Sequence, residues 1–167
     1  TQSLRDFLDG LDASDVVVIY IACHGELDGA RAHLFGRDTP RTKLAGRSID
    51  ASTFGTILGQ GKPHNILLII DACVAGRLGS VIQRAAEDAS DADNSRDPHR
   101  PFAQVLVSST FGRDLAYDGR FAKAFLRAVS DERWTGTTSR WIDIDHLISG
   151  LNEELRAIRS AQIAERR

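Results

Sequence analysis

Two short runs of almost purely apolar residues constrain the fold of this chain more than any other feature. They are Val16–Ala22 and residues 66–70, and polar residues flank both of them. Runs of this length without polar interruption are typical of strands that are buried on both faces, as in a parallel sheet. A helical pattern lies between them, so the strands are predicted to be parallel neighbours in a strand–helix–strand unit. We therefore predict an α/β domain with a mainly parallel central sheet.

A histidine and a cysteine follow these two runs. His24 and Gly25 come just after the first run, and Cys73 comes just after the second. The carboxyl ends of parallel strands lie at one edge of the sheet, which is where open α/β sheets place their chemistry. Neighbouring strands are about 5 Å apart, so the imidazole and the thiol are expected to meet. An imidazole beside a thiol predicts a nucleophile–base dyad.

Alternation of side chains along each strand assigns roles around this dyad. Asp71 and Cys73 are two positions apart and are predicted to share one side of the sheet, whereas Cys23 is predicted to face the other side. Cys73 is therefore the predicted nucleophile and Cys23 a core cysteine. A helix predicted over residues 74–86 would bring the positive end of its dipole near the thiol and favour the thiolate. The backbone N–H groups of Gly25 and Cys73 are the predicted oxyanion hole.

The remaining elements are predicted from hydrophobic periodicity and turn residues. They are a helix over 1–11, a hairpin excursion over 31–38, a helix capped by Asp50, a strand over 105–107, a helix around Phe121, a polar connector over 134–141 and a last helix capped by Asp143 or Asp145.

Length and composition exclude several classes of protein. The chain is predicted to be one domain over residues 1–167, since this length supports one hydrophobic core. A net charge of −2 gives no basic surface for nucleic acid, and no apolar run approaches the ~20 residues that cross a membrane. Two cysteines form no disulfide framework, which favours a reducing, cytoplasmic compartment. The sequence contains no methionine, so we expect Thr1 not to be a native start and the chain to be a fragment.

Several motifs resemble those of the caspase-like cysteine peptidases, and most closely those of metacaspases and their bacterial relatives. His24-Gly25 and Asp71-Ala72-Cys73 match the two motifs that carry catalysis in that family. His24 and Cys73 are separated by 49 positions, close to the ~50 of the caspase signature. The likeness covers roughly residues 16–129 and includes Gly76, Asp28-Gly29, Asp38-Thr39, Ser108-Ser109, Tyr117-Asp118-Gly119 and Phe121.

The resemblance implies a cysteine endopeptidase with a three-layer α/β/α caspase-like fold whose opening strand–helix–strand unit is missing here. In metacaspase-like enzymes an acidic residue two positions before the nucleophile lines the primary specificity pocket, so Asp71 implies cleavage after Arg, and less after Lys. Ser109 is the expected contact to the substrate backbone. The caspase motif has Gln where Asp71 stands, and Arg or a small residue where Val74 stands. No organic cofactor is implied, and the expected partners are a polypeptide substrate and other domains or subunits of a larger regulated protein.

Residues 87–101 are rich in Asp, Ser and Pro and are predicted to be a mobile acidic loop. Caspase-like enzymes are often cut after the nucleophile-bearing segment, which implies self-cleavage after Arg96 or Arg100. Some metacaspases bind calcium, so calcium activation stays open. The acidic cluster lacks the glycine and the terminal glutamate of an EF-hand loop, which favours a solvated loop instead. The cluster consists of Asp88, Asp91, Asp93 and Asp97.

Two other functions stay open on the sequence alone. One is a catalytically silent caspase-like interaction module, which the intact dyad disfavours. The other is a thiol hydrolase of different specificity on a flavodoxin-like sheet, in which Asp71 would not select basic residues. A metal site of Cys23, His24 and Cys73 needs both thiols on one side of the sheet, which alternation opposes. The other histidines have no matching partners and are predicted to lie at the surface or in loops: His33, His64, His99 and His146.

Overall fold

The computed structural model describes residues 2–36, 39, 48–92, 103–108, 119–135, 143–158 and 164–166, with the backbone alone described for 103–108 and 165–166. It is a mixed α/β structure. The helices are α1 (Gln2–Asp9), α2 (Ala51–Gln60), α3 (Ala75–Ala92), α4 (Arg120–Ser130), α5 (Glu132–Thr135) and α6 (Ile144–Ala157). The strands are β1 (Val16–Ala22), β2 (His24–Asp28), β3 (Arg31–Phe35), β4 (Ile49–Asp50), β5 (Asn65–Asp71), β6 (Ala103–Ser108) and β7 (Glu165–Arg166).

The larger sheet has the strand order β1-β5-β6-β7. β5 pairs in parallel with both β1 and β6, so the prediction that the two apolar runs are parallel neighbours is confirmed. The register of the β1–β5 pair runs from Val16 opposite Asn65 to Ala22 opposite Asp71. β7 pairs antiparallel with β6 and was not predicted, because two residues give no readable alternation.

A smaller antiparallel sheet of β2, β3 and β4 is inserted between β1 and α2. β2 begins at His24, two residues after the end of β1, and pairs with β3 from His24 opposite Phe35 to Asp28 opposite Arg31. The first part of the predicted excursion over 31–38 is therefore β3, the second strand of a hairpin whose first strand the sequence did not reveal. Residues 37 and 38 lie outside the described residues. The hairpin matters for function because it fixes the chain direction immediately after β1.

β5 contributes to both hydrophobic core clusters. Leu68 and Ile70 belong to a cluster that includes residues of α1, α2 and α3. Ile69 belongs to a second cluster, which includes residues of α4 and α6. Because side chains of a strand alternate between faces, the two clusters lie on opposite faces of β5.

Two of the predicted helix caps are confirmed. The Asp50 carboxylate accepts hydrogen bonds from the backbone N–H groups of Ser52 and Thr53 at the start of α2. At the start of α6, the cap is Asp143. Each cap satisfies N–H groups that have no partner within the helix, which stabilises the helix by about 1 kcal/mol.

The predicted loop over residues 87–101 is wrong for its first six residues, because α3 continues to Ala92. Ala86 and Ser90 are buried and extend the core-facing side of this helix. A Cβ at Gly59 of α2 would lie 2.9 Å from Cα of Ala86, so the backbones of α2 and α3 approach closely there. Small residues make this contact, and their burial leaves no hydrophobic pattern in the sequence. Residues 93–101 lie outside the described residues.

The predicted polar connector over 134–141 is wrong at its start. Trp134 lies in the short helix α5, and its ring packs edge-to-face with the ring of His146 in α6. Residues 136–141 lie outside the described residues. Among the helices that the structure describes, none combines the length and apolar character needed to cross a membrane.

Candidate active site

His24 and Cys73 follow the ends of neighbouring parallel strands. The last paired residues of β1 and β5 are Ala22 and Asp71. One further ladder bond forms beyond them, since the Cys23 N–H donates to the Asp71 carbonyl oxygen at 3.2 Å. His24 and Cys73 are each the second residue after these paired ends, so both follow the same edge of the sheet.

The segment that contains Gly25 is in direct contact with the segment that contains Cys73 and Leu78. A Cβ at this position would lie 2.6 Å from Cδ1 of Leu78 and would overlap the carbonyl oxygen of Cys73. Such approaches are below the separation of non-bonded carbon atoms, so only a residue without a side chain fits here. The backbone after His24 therefore packs against the backbone of Cys73 itself.

Both side chains of the candidate dyad have access to solvent. His24 is exposed and Cys73 is partly buried. The His24 ring packs against the ring of Phe35, the residue opposite it in the hairpin, with 5.5 Å between ring centroids and a 30° tilt. The β2–β3 hairpin thus supports the imidazole from one side and limits its orientations.

The residue after Cys73 has a strained backbone. Val74 has φ of 54°, which places a β-branched residue in the left-handed region. Its carbonyl oxygen accepts the N–H groups of Arg77 and Leu78 at 2.9 and 3.0 Å, so the chain turns directly from β5 into α3. A left-handed conformation costs a non-glycine residue about 1–2 kcal/mol. Such strain is common where a reactive side chain is held at a tight turn.

Replacement of Val74 tests this strain. We expect Val74→Gly to have a free energy of unfolding about 1 kcal/mol higher than Val74→Ala, because glycine adopts a positive φ without a Cβ penalty. Urea denaturation of the two variants measures the difference. The matched control is exposed Arg77 inside α3, where alanine is expected to be the more stable of the two replacements by about 1 kcal/mol. If glycine and alanine ranked in the same order of stability at Val74 as at Arg77, the strain at Val74 would be contradicted.

Asp71 is buried, with 8% of its surface exposed. The hydroxyl of Tyr20 donates a hydrogen bond to Oδ2 of Asp71 at 3.2 Å, so both side chains lie on the same face of the sheet. Burial raises the pKa of Tyr20, and the charge of Asp71 and the hydrogen bond to it raise it further. Tyr20 was not predicted as a site residue, because its proximity to Asp71 depends on the register of β1 and β5. Tyr20 precedes by two positions the residue that pairs with Asp71.

Cys23 packs against the first core cluster, with residues of α1, α2 and α3, as expected for a core cysteine. Burial raises the pKa of its thiol to about 11, a backbone hydrogen bond with Phe35 lowers it less, and the charges of Asp71 and Cys73 raise it slightly. Its Sγ lies 3.4 Å from the carbonyl oxygen of His24, which it donates to. At neutral pH this thiol is protonated and therefore a poor nucleophile.

The raised pKa of Cys23 predicts a loss of stability in alkali. The unfolded thiol ionises near pH 9, whereas the folded thiol ionises near pH 11. Between these values the unfolded state binds fewer protons, so the free energy of unfolding falls as the pH rises. Urea denaturation from pH 8 to 11 should give a steeper fall for the parent protein than for Cys23→Ala. Parallel curves for the two proteins would contradict the raised pKa.

Several predicted site residues lie outside the described residues: Ser109, Arg96, Arg100, Asp38, Tyr117 and Asp118. Ser108 is the last residue of β6 and pairs with Ile70, so the strand that precedes Ser109 runs beside β5. The contact of Ser109 with substrate and the cleavage after either arginine stay predictions.

Among the described residues, no group of three or more His, Cys, Asp or Glu side chains could hold a metal ion. Asp88 and Asp91 of the acidic cluster belong to α3, and the other two aspartates lie outside the described residues. The predicted surface or loop position of His33 is wrong, because it is buried in β3, whereas His64 is buried but lies in the loop between α2 and β5. His33 is satisfied within the small sheet by Ser48 at 3.1 Å, a partner that sequence alone does not reveal.

The chain matches no protein-family model, and no curated protein matches its sequence at a significant level.

Proposed function

We propose that this protein is a cysteine endopeptidase that cleaves after basic residues, with Cys73 as the nucleophile and His24 as the base. The observation that carries the proposal is the parallel β1–β5 pairing, because His24 and Cys73 follow the paired ends of these two strands. The close packing of Gly25 on the Cys73 carbonyl supports it independently. A thiol and an imidazole that follow neighbouring strand ends are the residue types of an activated nucleophile.

The proposed reaction has two stages. The His24 imidazole takes the proton of the Cys73 thiol, and the sulfur attacks the scissile carbonyl carbon to form a tetrahedral oxyanion. The N–H groups of Gly25 and Cys73 are the proposed donors to that oxyanion. The imidazolium then gives its proton to the leaving amine, and a thioester remains. Water, deprotonated by His24, attacks the thioester and releases the acid product and the free thiol.

The turn at Val74 and the hairpin after β1 have defined roles in this proposal. The strained turn presents Cys73 at the sheet edge instead of continuing the strand. Phe35 supports the ring of His24. The turn and the ring contact restrict the positions of the Cys73 thiol and the His24 imidazole before substrate binds. Such orientation of reacting groups is a contribution that a folded scaffold makes to catalysis.

Asp71 is the proposed receptor for the basic side chain before the cut. By alternation with Ala72 it is expected to share a side with Cys73, and its carboxylate is largely removed from water. In such surroundings a guanidinium gains more from a charge-assisted, bidentate contact than it would in water. The proposal therefore includes a preference for Arg over Lys.

We also propose that the chain has a three-layer caspase-like fold. The core clusters on opposite faces of β5 support this arrangement. The proposed substrate is a polypeptide, and the proposed setting is a larger regulated protein in which calcium could act as an activator. The reaction steps above require no cofactor.

Hydrolysis of fluorogenic peptides tests the proposal. Peptides that end in Arg, Lys or Asp before the fluorophore should be cleaved in the order Arg, then Lys, with Asp-terminated peptide uncut. Asp71→Asn should lower kcat/KM for the Arg peptide by about 10²-fold, because the buried carboxylate loses its charge. Cleavage of the Asp peptide in preference to the Arg peptide would overturn the pocket while leaving the dyad in place. No cleavage of any peptide by the parent protein would overturn the peptidase.

A further inference from the structure

Tyr20 and Asp71 form a polar pair in which Tyr20 has no role in the reaction proposed above. Tyr20 lies on β1 opposite Ile69 of β5, and its hydroxyl donates to Oδ2 of Asp71 at 3.2 Å. Tyr20 is 39% exposed whereas Asp71 is 8% exposed. The pair therefore joins a partly exposed phenol to a buried carboxylate.

The ring of Tyr20 is held by the second core cluster. Its centroid lies 6.2 Å from that of Phe125 on α4, with a 36° tilt. Phe125 in turn stacks on Phe121, which is fully buried, at 6.4 Å. Packing against rigid aromatic neighbours fixes the position of the ring, and so fixes the direction of its hydroxyl.

We propose that Tyr20 is the positioning residue that sets the preference of the Asp71 pocket for Arg over Lys. This inference rests on the proposed function. By donating to Oδ2, the hydroxyl fixes the plane of the Asp71 carboxylate and offsets part of the cost of burying its charge. Burial and the charge of Asp71 raise the pKa of Tyr20, so the hydroxyl stays protonated and able to donate.

The effect of a fixed carboxylate plane differs between the two basic side chains. Guanidinium is planar and binds a carboxylate through two parallel N–H groups, so it depends on the orientation of the acceptor. The ammonium of Lys is a compact charge with three rotatable donors and depends on that orientation much less. Loss of the Tyr20 hydroxyl should therefore weaken Arg recognition more than Lys recognition.

Steady-state kinetics of Tyr20→Phe measure this difference. Phenylalanine keeps the ring against Phe125 and removes the hydroxyl alone. We expect KM for the Arg peptide to rise about 3- to 10-fold, with kcat changed less than about 2-fold and a smaller change in KM for the Lys peptide. Val18→Thr is the matched control, since Val18 lies on the same face of β1 and is 60% exposed. It should leave the Arg-to-Lys ratio unchanged.

A binding measurement separates this inference from the peptidase reaction. Calorimetric titration of benzamidine, a cationic amidine that resembles guanidinium, is carried out on Cys73→Ala alone and combined with Tyr20→Phe or Asp71→Asn. We expect Asp71→Asn to abolish binding and Tyr20→Phe to weaken it about 3- to 10-fold. Weakened binding in a protein that cleaves no peptide would support Tyr20 while overturning the peptidase. An unchanged affinity or an unchanged Arg-to-Lys ratio in Tyr20→Phe would overturn the inference, and so would the absence of benzamidine binding.

Discussion

Cys73→Ala is expected to lower kcat/KM for Arg-terminated peptides by at least about 10³-fold, because the bond-forming atom is removed. His24→Ala should cause a loss of similar size, and the double variant should be no worse than either single one. Residues that act as one unit give such non-additive losses. Fluorogenic assays at equal protein concentration measure all three variants.

Cys23→Ala is the matched control for the cysteine replacement. The Cys23 thiol packs on the first core cluster and has a pKa of about 11, so its removal should leave hydrolysis within about 3-fold of the parent. Activity that survives in Cys73→Ala but disappears in Cys23→Ala would show that the nucleophile is Cys23 and not Cys73.

Self-cleavage after Arg96 or Arg100 is tested by the intact masses of the parent and Cys73→Ala. Fragments are expected from the parent alone.

Gly25→Ala is expected to have the second-largest effect. The added methyl group would overlap the Cys73 carbonyl oxygen and lie 2.6 Å from Cδ1 of Leu78, so the backbone must move. Overpacking of this kind lowers the free energy of unfolding by about 1–3 kcal/mol. A displacement of about 1 Å between reacting groups costs about 10²-fold in rate. Urea denaturation and peptide hydrolysis should both register the change.

Gly36→Ala provides the comparison for this variant. A Cβ at Gly36 would have no heavy atom within 4 Å, so stability and activity should stay close to those of the parent. If Gly25→Ala retained both properties as well as Gly36→Ala does, the close packing between the two strand ends would be refuted.

The strands that carry the candidate site could be predicted from the sequence. Val16–Ala22 was predicted with the bounds that the structure gives it. The run over 66–70 was predicted to within one residue at each end. β5 is buried along most of its length, whereas β1 ends the strand order of the described sheet and has one exposed face, with Val16 70%, Val18 60% and Tyr20 39% exposed. The prediction that both strands are buried on both faces is therefore wrong for β1. The helix between the two runs favours parallel pairing. The positions of these two strands and their parallel pairing therefore followed from local patterns alone.

The features that the sequence did not reveal depend on contacts between distant segments. The bond between Tyr20 and Asp71 follows from register, which alternation within one strand does not specify. The end of α3 is buried through Ala86 and Ser90, small residues that leave no apolar period. The left-handed backbone at Val74 is unexpected from its residue type, because a β-branched side chain disfavours it. Tertiary packing decides all three.

Covalent labelling with an Arg chloromethyl ketone tests most directly whether His24 and Cys73 act together. Peptide mapping by mass spectrometry should find one adduct, on Cys73, and its rate of formation should fall at least about 10²-fold in His24→Ala. Equal labelling rates in the parent and His24→Ala, or an adduct on Cys23 in place of Cys73, would contradict the account.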